Sequence, residues 1–156
     1  MQFPEIDSPD ISRQPIEFFF DDVVFNLPEE AALREWLMGI AQAEGKPIAE
    51  VNFIFCSDEQ LRHINVEFLD HDYYTDIITF DFSDDEATMR GEIYISSERV
   101  TDNAREHGVS FLQELCRVMA HGVLHIAGYG DKTPEQEAKM RAKENYYLND
   151  IKALID

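Results

Sequence analysis

Positive charge is scarce in this chain of 156 residues: 13 Lys and Arg stand against 32 Asp and Glu, a formal net charge of −19. That balance argues against loose, sequence-blind attachment to nucleic acid, which comes mainly from neutralising phosphates with basic side chains. A local basic groove stays open. Cysteine is nearly absent. Cys56 and Cys116 lie in the apolar runs VNFIFCS and LCRVM and read as buried, reduced thiols. Neither belongs to a C-x-x-C pair, which argues against a redox or structural zinc motif. No apolar run approaches the ~20 residues of a membrane span. MQFPEIDSPD has neither the basic nor the apolar region of an export signal. These absences point to a cytoplasmic protein with no membrane partner. The length suits one domain with one core, and 44% apolar residues is ordinary for such a domain.

Residues 1–14, with Pro4 and Pro9 and no periodicity, read as a loose lead-in to a single domain over 15–156. IEFFF and VVFNL suggest short strands split by Asp21 and Asp22. Pro28, with Asn26 or a neighbour as cap, suits the start of a helix whose apolar positions are Leu33, Trp36, Leu37 and Ile40; Gly45 ends it. VNFIF is β-rich, and Ser57 with Gln60 has the spacing of a capping box for a helix through Phe68. TDIITFDF and GEIYIS pair as a hairpin across SDDEATMRG. Ser96 or Ser97 caps a helix ending near Gly108, and Ser110 with Gln113 opens one that runs to Gly128. Thr133-Pro134 with Gln136 starts a last helix running almost to Asp156. Strands early and helices late predict an α/β (α+β layered) fold, a small mixed sheet packed with helices.

Only five histidines occur, and HGVLHIAGYGD holds two of them, four positions apart in a mostly apolar run. Residues four apart share a helix face, so Glu114, Arg117, His121 and His125 form one polar stripe. Two imidazoles at this spacing converge on a metal ion in zinc proteases. Gly128 is the expected helix stop, Gly130 helps the chain turn back, and Asp131 then comes within reach of both imidazoles. Two nitrogens, one oxygen and an open fourth position describe catalytic zinc. Gly122 weakens the helix by ~1 kcal/mol relative to Ala, which hints at close backbone packing beneath it. It also stands where an H-E-x-x-H protease carries its general base, so that proteolytic reading fails. Spacing alone also fits two ordinary polar residues and an ordinary helix-ending turn, though it favours the metal site.

MAHGVLHIAGYGD, TDIITF and GEIYIS, in this order and spacing, resemble the signature segments of the YbeY family, metal-dependent endoribonucleases that mature ribosomal RNA in bacteria. The family pattern is H-G-x-L-H-L-x-G-Y-D-H, preceded by a Thr-Asp-(Val/Ile)-Leu-Ser-Phe strand and a Gly-Asp-Ile strand. The likeness spans roughly residues 16–155. It implies a metalloprotease-like domain with its metal-binding helix near the C-terminus and one Zn2+ held by His121, His125 and Asp131. Asp131 stands where the family has its final histidine, and Gly130 where it has aspartate. A carboxylate is a competent zinc ligand. Its charge makes bound water less acidic than three neutral imidazoles would. The family's arginine six residues before Thr-Asp aligns with Leu69. His71 nearby reads as a surface residue or a substitute for it. Arg117 reads as a phosphate contact or as a salt-bridge partner of Glu114 or another acid. His63 and His107 read as solvent-facing and helix-ending. Asp76 and Glu92 would orient a ligand imidazole or tie down a turn.

What the resemblance implies is a single-strand-specific zinc endoribonuclease of ribosomal RNA maturation and ribosome quality control. Arg117, His121 and His125 would be catalytic. Its partners would be ribosomal RNA, ribosomal particles and ribosome-associated proteins. Three alternatives stand beside it: a non-catalytic ribosome-associated factor of the same fold, a zinc-dependent hydrolase of small substrates, and a two-His-one-carboxylate iron oxygenase.

Overall fold

Alternation decides the centre of the fold. Along Ile48–Cys56, Val51, Phe53 and Phe55 are fully buried while Asn52 and Ile54 between them are only partly so. Period-two burial of β-branched and aromatic residues is the strand signature. The structure, a computed structural model, describes residues 14–156, so the expected lead-in lies outside the described residues except for its last position. The elements are β1 (Ile16–Phe20), α1 (Glu30–Ala43), β2 (Ile48–Cys56), α2 (Asp58–Leu69), β3 (Ile77–Asp81), β4 (Met89–Ser96), α3 (Ser97–His107), α4 (Phe111–Ile126), α5 (Pro134–Leu148) and α6 (Lys152–Ile155).

The strands form one mixed sheet in the order β1-β2-β4-β3. β1 and β4 flank β2 in parallel, and β3 returns antiparallel on β4 as the expected hairpin. The main core joins Phe53, Phe55, Ile93 and Ile95 of the sheet to Leu33, Leu37 and Ile40 of α1 and to Leu115, Met119 and Val123 of α4. Burying each such side chain contributes about 1.5–3 kcal/mol. A smaller cluster of Cys56, Leu61, Ile64 and Ile78 seats α2. No helix among the described residues is long and apolar enough to cross a membrane.

The expected caps form. The Ser57, Ser96 and Thr133 side chains accept from the backbone N–H groups of Gln60, Arg99 and Gln136, and Ser110 with Gln113 closes a full capping box. Each satisfies a helix-start N–H that has no partner within its helix. Three local expectations fail. VVFNL forms no strand; the Phe25 ring instead packs edge-on against Phe20, Phe55 and Phe111. α1 starts at Glu30, behind Glu29 in the left-handed region (φ 56°), with no side-chain cap from Asn26 and with Pro28 outside the helix. The last helix stops at Leu148, and the chain bends before α6 so that Ile151 and Ile155 are buried in the main core.

α4 lies hard against the sheet at Gly122. A Cβ there would meet two Ile93 methyl carbons at 3.0 Å and the Ile77 Cδ1 at 3.1 Å. Overpacking of this kind costs about 1–3 kcal/mol, against a helix-propensity gain of about 1 kcal/mol. Gly122→Ala should therefore lower the urea midpoint without changing the slope. An unchanged midpoint would show that the Ile93 and Ile77 methyl groups give way to the added Cβ.

Candidate metal centre

Ten of the sixteen residues of α4 are buried, which fixes its rotation and leaves His121 and His125 on the rim. The helix ends in a Schellman motif. Gly128 (φ 120°) donates its N–H to the His125 carbonyl and Tyr129 donates to that of Leu124, both at 3.0 Å. That reversal carries the chain back along the helix, and Asp131 Oδ2 comes to 3.3 Å from His121 Nε2.

On the other side of the His121 ring, Nδ1 donates to Glu144 Oε2 at 2.8 Å. Glu144, on α5, is only 4% exposed. Its second oxygen accepts from Arg117 at 2.9 Å and has Arg141 at 3.7 Å, and Arg117 also donates to Asn145 Oδ1 at 2.8 Å. Burial pushes the His121 pKa down. The hydrogen bond to Glu144 and the charges of Glu144, Asp131 and Asp76 outweigh it and hold the imidazole above its ordinary value. His125 is exposed, and its Nδ1 donates to the Tyr129 carbonyl at 3.1 Å. A carboxylate and a carbonyl can only accept. Both rings are thus tied at Nδ1–H, the arrangement that frees Nε2 as a metal ligand.

A cavity of about 380 Å³ opens beside the pair, lined in part by Asp76, Glu114, Arg117, His121, Asp131 and Glu144. Burial raises the Asp76 carboxyl above its usual range, although the charge of His121 opposes the shift. Asp76 receives a hydrogen bond of 3.4 Å from Asn103.

Of the remaining candidates, Arg117 and Glu114 stay at this cavity and the others lie away from the imidazoles. Arg117 pairs with Glu144, while Glu114 takes His107, at 3.2 Å, at the end of α3. His63 pairs with Glu67 at the surface, and His71 stacks on Tyr73 in the loop after α2. Leu69 closes α2 and is 38% exposed. Glu92 holds the Tyr94 hydroxyl. Nothing near His121 in the sequence marks Glu144, 23 residues away, as its partner. Its signal is an acid in the stripe Met140, Glu144, Tyr147, whose members are the buried residues of α5.

The expectation that Asp131 reaches both imidazoles holds only at His121; it forms no ion pair with His125 among the described residues. Nor do three His, Cys, Asp or Glu side chains there converge closely enough to hold a metal ion ready-made. The donors fit zinc in kind. The separation of 3.3 Å between His121 Nε2 and Asp131 Oδ2 matches the edge of a tetrahedron with bonds near 2.0–2.1 Å, about 3.3 Å. A cation there would be shared by the Nε2 lone pair of His121 and the Asp131 carboxylate.

Comparison with known proteins agrees with this architecture. A family model described as endoribonuclease YbeY matches residues 23–152. Proteins named endoribonuclease YbeY from Cytophaga hutchinsonii and Amoebophilus asiaticus are 48% and 44% identical to the chain. The alignments span 89% and 85% of this chain and 97% and 90% of those proteins. A solution structure of a Thermotoga maritima protein superposes with a TM-score of 0.60 at 27% identity, covering 88% of this chain and 92% of that one.

Proposed function

The chain belongs to the endoribonuclease YbeY family, and from that premise we propose that it is a single-strand-specific, zinc-dependent endoribonuclease of ribosomal RNA maturation and quality control. Residues 15–156 make up its one catalytic domain. The observation that carries the metal reading is the pair of imidazoles tied at Nδ1, one of them facing the Asp131 carboxylate. The ligands are His121, His125 and Asp131. His125 is exposed, and Nε2, the nitrogen not tied to Tyr129, is the one it offers.

Bound zinc would supply Lewis acidity toward a phosphodiester at the cavity mouth. The protein's own groups prepare for it. Glu144 keeps the His121 proton on Nδ1, and the Tyr129 carbonyl does the same for His125. Arg117 acts through Glu144, holding that carboxylate ionised and in place. Arg141, with its side chain 57% exposed at the cavity wall, is the cation freest to meet a substrate phosphate.

A net charge of −19 makes binding to naked RNA weak. Recognition then relies on ribosomal particles or ribosome-associated proteins that bring positive surface, in the cytoplasm. The test is metal content by mass spectrometry on protein purified without a metal-binding tag, with cleavage of single-stranded and duplex RNA measured in parallel. The expected result is about one zinc ion per chain, lost in His121→Ala, with chelator-sensitive cleavage of the single strand alone. Metal-free protein that binds ribosomal particles and cuts nothing would favour the non-catalytic factor.

A further inference from the structure

Behind the loop that returns Asp131 lies a cluster of which the mechanism above uses only the Tyr129 carbonyl. Glu44 caps the C-terminus of α1, and its side chain is only 9% exposed. Three donors end on this one carboxylate: the Tyr129 hydroxyl on Oε1 at 2.7 Å, Lys143 on Oε2 at 3.1 Å, and the Tyr147 hydroxyl, also on Oε2. Three hydrogen bonds therefore hold Tyr129, besides the packing of its ring against the main core and under Lys139 and Lys143. Its hydroxyl is on Glu44, its N–H is on the Leu124 carbonyl, and its own carbonyl receives His125 Nδ1. Gly128 and Gly130 flank it, so the backbone on either side has little stiffness of its own.

Resting on the metal reading above, we propose that Glu44 and Tyr129 are positioning residues for the metal centre. Glu44 grips the Tyr129 hydroxyl from another element, and the Tyr129 carbonyl in turn fixes the tautomer and direction of His125. The same grip sets where the following Gly130 and Asp131 return. The anchor is specific to the loop rather than to the fold. Tyr147 donates to the same carboxylate from α5, but its backbone carbonyl accepts Trp36 Nε1 and it has no part in the loop. The three bonds on Glu44 offset its burial and hold its carboxyl below the usual range, so it stays ionised as an acceptor.

This separates two variants that each delete one hydroxyl from the same acid. Tyr129→Phe should weaken Co2+ binding, followed by its visible absorption, by roughly 10–100-fold, the range for losing a partner that orients a ligand. Its melting temperature should stay close to that of wild type. Tyr147→Phe should lower the melting temperature and leave Co2+ affinity unchanged. The proposal is overturned if Tyr129→Phe binds Co2+ as wild type does, or if Tyr147→Phe loses as much affinity. Wild-type protein that binds neither Co2+ nor Zn2+ would sink the metal reading instead. The anchor then stands or falls on 15N spectra of the metal-free protein: His125 should be the Nδ1–H tautomer in wild type and a mixture in Tyr129→Phe. An unchanged tautomer overturns it.

Discussion

Glu144→Gln should give a folded protein that has lost its metal and its RNA cleavage together. The reason is a proton. Glu144 Oε2 accepts from His121 Nδ1, so the other ring nitrogen keeps a free lone pair. With glutamine in its place, one end of the amide must still accept from Arg117, which has only donors to offer. The NH2 end is then turned toward His121, where it donates to Nδ1 and moves the ring proton to Nε2. That nitrogen can no longer bind a metal, although nothing has changed in shape. Losing such an orienting partner lowers metal affinity by roughly 10–100-fold or more, while the neutral hydrogen bonds that remain limit the stability loss to about 1–3 kcal/mol. Glu144→Ala differs in kind. It strands Arg117, whose side chain is 22% exposed, without its carboxylate, a loss of about 3–5 kcal/mol. Metal content and urea unfolding measured on both variants separate the two effects. A glutamine variant that keeps its metal would show that Glu144 serves packing alone.

Some of this centre could be read from the letters and some could not, and the division is physical. The polar stripe of α4 was legible because helical periodicity is local, and so were the caps, where a hydroxyl and the N–H it satisfies lie three residues apart. Asp131 was legible as a partner of His121 because only the short Gly128–Gly130 turn separates it from the helix. Three ordered segments sufficed to bring out the family likeness. The sheet order was not legible, because β2 lies between β1 and β4 through pairings far apart in sequence. VVFNL has strand composition, yet Phe25 is drawn into an aromatic cluster with Phe111, a partner no local pattern reveals. The acceptors that fix the two imidazoles were hidden for different reasons. Glu144 is 23 residues from His121 along the chain. The acceptor for His125 is a backbone carbonyl, which every residue has and no letter marks.

Asp131 is the remaining test of what the centre binds, because two variants at this position pull two roles apart. As a ligand it contributes an oxygen that a cation shares with His121. As a charge partner it only holds the imidazole. Its side chain is 41% exposed in a loop, so Asp131→Ala should leave stability within about 0.5 kcal/mol of wild type. If a Lewis acid at this site supplies several kcal/mol of transition-state stabilisation, its loss lowers kcat/KM on single-stranded RNA by roughly 1000-fold. Asp131→His then decides between the roles. Imidazole offers a lone pair to a metal as well as carboxylate does, but it carries no negative charge to hold a protonated His121. The flanking glycine gives the backbone freedom to place the larger ring. Zinc content and cleavage should both return in Asp131→His while Asp131→Ala stays empty and inactive. A histidine variant as inactive as the alanine one would mean that the negative charge is what this position supplies, and that the metal's third ligand lies elsewhere.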